Sequence, residues 1–170
     1  MQAMNDNIGT PIAKALNVLL KVIMAFMIFV IIAFIILGII MTTDNNISTD
    51  IQAQLAATND VGARNTPLVF SGGAVIAAIW LYVLNILHKI IGTLLKRDPF
   101  ASENISRLRK IWVVIVVSEI LRIVIVNFTR GENTLIEVQA STIFLVFVIA
   151  ALSEVFRHGA ELRRDAELTI

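Results

Sequence analysis

At 170 residues, with 57% apolar and 16% charged side chains and a mean hydropathy of +0.82, the chain exceeds the roughly 45–50% apolar content of soluble globular domains. The formal charge of +1 hides an uneven distribution of Lys and Arg, so its sum is uninformative about partners. The absence of cysteine excludes disulfides, thiolate metal sites and thiol nucleophiles.

Ile12–Lys21 reads as a helical lead-in to Val22–Met41, a run of twenty residues without a charge. That run is long enough to cross a hydrocarbon core of about 30 Å at about 1.5 Å per residue. A cleaved signal peptide would carry an apolar region of about 7–15 residues ending at small side chains. Here "MTTDNN" follows, so the span is expected to stay in place. The next loop, Thr42–Thr66, contains "STDIQAQLAAT", where Ser48, Thr49 or Asp50 is placed to cap a short helix. Ile47, Ile51 and Leu55 recur every four residues, giving that helix a face for the membrane surface or for packing within the loop.

The second span, Leu68–Leu87, is again uncharged, and Pro67 suits its first turn. The "SGGA" near its start reads as packing. Gly73 with Ala77, and Ala74 with Ala78, set small residues four apart, so a helix of this chain or of a second copy can approach closely. "HKIIGTLLK" continues the helix past the span, and its Ile90, Ile91, Leu94 and Leu95 need a neighbour, a partner or lipid headgroups to cover them. The third span, 111–128, is interrupted by Glu119 and Arg122, and the fourth, 138–156, by Glu154. Each is still long enough to cross with ordinary tilt. "RHGAELRRD" carries the last helix onward.

Cytoplasmic segments accumulate Lys and Arg near helix ends. Lys14 and Lys21 precede the first span, Lys89, Lys96, Arg97, Arg107, Arg109 and Lys110 lie in the loop 88–110, and Arg157, Arg163 and Arg164 lie in the tail 157–170. The other two loops hold only Arg64 and Arg130. The expected architecture is therefore all-α: one polytopic membrane domain over residues 1–170, four transmembrane helices in an antiparallel bundle, and both termini in the cytoplasm.

Glu119 falls about 12 Å from one edge of the third span and about 13 Å from the other, near the midplane. An ionised carboxylate there costs about 2.5–3.5 kcal/mol on insertion scales, so it must pair, protonate or meet water. Arg122, three residues on, shares its helical face, so pairing is available within one helix, while it also sits close enough to the outer edge for its stem to snorkel away. Ser118 lies on the same stripe. Tyr82, Asn85 and His88 fall within a turn and a half of one another on the second helix, and Ser153 and Glu154 lie at similar depth on the fourth. A polar cluster of Asn85, His88, Glu154 and Lys21 is geometrically available. One reading is structural, since buried polar groups join helices in lipid at about 0.6–2 kcal/mol each. The other is a proton or ion path through Glu119 with Glu154 and His88 as relays, though no internal repeat or pair of broken helices marks a transporter.

His88 and His158 are the only histidines, and neither belongs to a metal or haem motif. No glycine-rich phosphate loop, serine elbow or close carboxylate pair is present. No catalytic residue, metal or cofactor is expected.

Two cytoplasmic stretches, "KRDPFASENISRLRKIW" and "LSEVFRHGAELRRDAELTI", resemble the bacterial membrane family known as domain of unknown function 2975. The first matches its "DPF", "EN" and "LR" elements through Asp98, Pro99, Phe100, Glu103, Asn104, Leu108 and Arg109. The second matches its "GxxLxxDxxLT" ending through Gly159, Leu162, Asp165, Leu168 and Thr169. The likeness covers roughly the last three quarters of the chain. It implies a small four-helix membrane protein without assigned catalytic residues, whose relatives are often encoded beside a small helix-turn-helix regulator.

Physically, Asp98 or Ser102 is suited to start a helix, Pro99 stiffens the turn, and Phe100 offers an apolar anchor. In the tail, Glu161, Arg163, Arg164, Asp165 and Glu167 are spaced for pairing along a helix. Asp98, Pro99, Phe100, Glu103, Asn104, Arg109, Gly159, Leu162, Asp165 and Leu168 form the expected docking surface. The sequence thus reads as a bacterial inner-membrane protein that binds rather than catalyses, a membrane-anchored regulator or sensor holding a cytoplasmic transcription regulator. A small transporter or channel subunit is the alternative. Its expected partners are the bilayer, that regulator and a second copy of the chain, with no direct contact to nucleic acid.

Overall fold

A computed structural model describes residues 6–43, 47, 49–51, 53–54, 66–95, 102–130 and 139–168. They form four long helices: α1 (Asp6–Thr43), α2 (Thr66–Leu95), α3 (Ser102–Arg130) and α4 (Ala140–Leu168). Each contains a stretch long and apolar enough to cross a membrane, with mean hydropathies of 3.3, 2.0, 2.3 and 1.8 in chain order.

All three helical extensions expected beyond the spans are present among the described residues: α1 runs through Ile12–Lys21, α2 reaches Leu95, and α4 reaches Leu168. Pro67 is the second residue of α2, where its missing N–H has no helical partner to lose. α3 starts at Ser102, nine residues before the apolar run, with Glu103 in its first turn facing the positive end of the helix dipole. In the loop that follows α1, Ile47, Thr49, Asp50, Ile51, Ala53 and Gln54 have helical backbone. Val138, Leu55 and Ser48 lie outside the described residues.

Burial follows a 3.5-residue rhythm. On α3 the least exposed positions include Asn104, Leu108, Ile111, Ile115 and Ser118, alternating steps of four and three as in a coiled-coil seam. On α4 the half-buried stripe is Thr142, Val146, Ile149, Ser153 and Phe156, and on α1 it includes Ala13, Asn17, Leu20, Met24 and Met27. Outside these stripes α1 and α4 leave large apolar side chains such as Phe26, Phe29, Phe144 and Phe147 exposed, as helices bordered by hydrocarbon should.

The chain divides into two compact units. The first combines the start of α1 up to Ala25, α2 from Tyr82, α3 up to Val116, and α4. Its core is Val83, Ile86, Ile90, Leu108, Ile111 and Ile115, with Val146, Ile149 and Phe156 packed against it. Ile90 and Ile91, which the sequence required to be covered, are both buried here, and the Leu94 side chain lies outside the description.

The second unit combines α1 from Phe26, the loop helix, α2 up to Leu81, and the end of α3 with Gln139. Its packing depends on two glycines. A Cβ on Gly72 would sit 2.9 Å from two carbons of Ile125 on α3, and one on Gly73 would sit 3.1 Å from the Phe34 ring on α1. Phe34 also meets Phe70 with ring centroids 6.1 Å apart. The small residues of "SGGA" therefore admit neighbours from the same chain.

Candidate functional site

The polar side chains of α3 are satisfied at both ends of the helix by different means. In the second unit, Glu119 and Arg122 close a two-pronged pair: Arg122 Nε donates to Glu119 Oε2 at 3.0 Å, and Nη2 donates to Oε1 at 2.7 Å. Their side chains are only 12% and 27% exposed, respectively. The sequence left both the pair and an outward escape open to Arg122. It takes the pair, because a fork of two N–H donors matches a carboxylate so well in a poorly solvated place. The Gln139 backbone N–H adds a third donor to Glu119 Oε1 at 3.3 Å. Gln139 directly precedes α4, so this carboxylate receives a donor from the residue where the last helix begins.

In the first unit, Asn104 is fully buried. Its Nδ2 donates to Thr93 Oγ1 at 2.6 Å, Thr93 in turn donates to the Ile90 carbonyl at 2.6 Å, and Asn104 Oδ1 accepts from Arg107 Nη1 at 3.0 Å. Arg107 Nη2 also binds Glu103 Oε2 at 2.7 Å, four residues back. Asn104, expected on a docking surface, is thus a clamp between the end of α2 and the start of α3. An amide at zero exposure has no surface to offer a partner, and its hydrogen bonds offset the cost of its burial.

The expected cluster of Asn85, His88, Glu154 and Lys21 does not assemble. Glu154 is exposed and engages its own helix: Arg157 Nε donates to it at 3.1 Å, and His158 Nδ1 lies 3.5 Å from Oε1. Arg157 reaches on to Glu161 at 3.4 Å. A flexible carboxylate one turn from a guanidinium pairs locally before it crosses to another helix. Asn85, Lys21 and Tyr82 are exposed, and among the described residues the His88 Nδ1 is buried without a partner, as is Asn17 Oδ1.

Of the remaining docking positions, Glu103, Arg109, Asp165, Leu162 and Leu168 are exposed, and Gly159 is half-buried. Asp98, Pro99 and Phe100 lie outside the described residues. Among the described residues no three His, Asp or Glu side chains gather as metal ligands would. Thr93, Arg107 and Gln139 are the functional partners that sequence reasoning missed. The Glu103–Arg107 spacing was a legible signal, while Thr93 and Gln139 only acquire meaning from contacts eleven and twenty residues away.

Four helices long and apolar enough to cross a membrane define a multi-pass α-helical membrane protein. Residues 50–170 match the family described as protein of unknown function DUF2975, and the chain belongs to that family. All of α1 precedes the matched region. No curated protein and no solved structure matches the chain.

Proposed function

We propose that this chain is a non-catalytic protein of the bacterial inner membrane, with antiparallel helices, cytoplasmic termini and a cytoplasmic face that holds a small helix-turn-helix transcription regulator. The observation that carries this reading is the end of α4. It remains helical to Leu168, and Leu162 and Leu168 are 71% and 75% exposed among Glu161, Arg163, Arg164 and Asp165. Apolar side chains beside such charges are held out of water most readily by another protein. Glu103 and Arg109 supply charge to the same face, and Asn104 drops out of it.

A photocrosslinking residue at Leu162, activated in intact cells, is expected to capture a small soluble DNA-binding protein. Adducts confined to lipid or to the chain itself overturn the reading. The transport alternative needs a carboxylate able to release its partner, and Glu119 is held by Arg122 and Gln139. Loss of an ion flux in proteoliposomes on Glu119→Gln would reverse that preference.

A further inference from the structure

We propose that the second unit holds one acyl chain of a phospholipid in the groove between α1 and α2, drawn from the leaflet at the Thr42 end. The groove is open and has a volume of about 920 Å³. On α1 its lining runs from Ile31 to Thr42, and on α2 from Pro67 to Ala78. Each stretch advances eleven residues, about 16 Å of helix, against about 15 Å for half of a hydrocarbon core.

The positions agree with that length. Thr42 and Pro67 stand where the uncharged runs Val22–Met41 and Leu68–Leu87 meet the polar loop, and Ile31 and Ala78 stand at the centres of those runs. The groove therefore starts at one membrane face and ends at the midplane, the depth of a single leaflet. A helix from a second copy would cross the whole core and has no reason to stop there.

The walls also select hydrocarbon. Among the described residues no charged side chain lines them. Both hydroxyls are turned onto their own helices: Thr42 Oγ1 donates to the Ile39 carbonyl at 2.7 Å, and Ser71 Oγ to the Leu68 carbonyl at 3.3 Å, leaving no proton for a polar ligand. Gly38, Ala74 and Ala78 keep the groove deep, while Phe34, seated on Gly73, supplies one flank.

The test uses the full chain in vesicles of phosphatidylethanolamine and phosphatidylglycerol that contain a phospholipid with a photoactivatable group along its acyl chain. Peptide mapping of the wild type is expected to find adducts severalfold enriched on the groove positions over exposed apolar positions such as Phe29, Ile36, Phe144 and Phe147. Ala78→Phe, which fills the groove, is expected to remove that enrichment, while Ile36→Phe, outside it, retains it. Evenly spread adducts in the wild type overturn the proposal whether or not the variants fold. So does a groove found crosslinked to a second copy, or an Ala78→Phe map identical to that of the wild type.

Discussion

Glu119 and Arg122 show how a charge is kept in an apolar helix. Breaking a buried pair by removing one partner is costly because the survivor stays behind, whereas replacing both by apolar residues is often neutral or better. Glu119→Leu is therefore expected to destabilise the protein by about 3 kcal/mol, since it strands Arg122 and also deprives the Gln139 amide of its acceptor. Glu119→Leu/Arg122→Leu should fall within about 1 kcal/mol of the wild type. Denaturant titration in mixed micelles measures both, and a double variant weaker than the single one would refute the account. The three-residue spacing of the pair was legible in the sequence. Its closure was not, because depth estimated from one helix ignores the donor that arrives with Gln139. Asn104 misled for a related reason. It is a polar residue in a polar stretch, and only its partner Thr93, on another helix, makes it part of the interior.

At the scale of elements, the four spans, their extensions and the alternating stripes could be read from hydropathy and periodicity, because those patterns are local. Which small residue meets which helix is not local. The pattern drew attention to Gly73 and Ala77, yet the tightest approach is Gly72 against Ile125. The glycines consequently differ in sign. Gly72→Ala forces a methyl group against Ile125 and should cost about 1–2 kcal/mol after its gain in helix propensity. Gly92→Ala meets nothing within 4 Å and should stabilise α2 by about 0.5–1 kcal/mol. Thermal unfolding in one detergent compares the two, and loss of stability in Gly92→Ala would show that the space beside it is used.

For the whole molecule, the distribution of Lys and Arg predicts the orientation, and the lack of cysteine makes it directly measurable. Single cysteines at Thr43, Ser102 and Leu168 are expected to separate into two classes. A membrane-impermeant maleimide should label Thr43→Cys on intact cells, and Ser102→Cys and Leu168→Cys only after permeabilisation. The opposite pattern would invert the topology and remove the cytoplasmic docking face with it.

The closed pair on α3 also bears on how the chain is made. Two separate ions at mid-helix would each resist entry into lipid, and a newly made α3 would have to wait beside the insertion machinery for a later helix to shield them. Glu119 and Arg122 neutralise each other within a single turn of the same helix. α3 therefore carries its own counterion across the threshold and can partition while α4 is still being synthesised, so that Gln139 docks onto a carboxylate already in place.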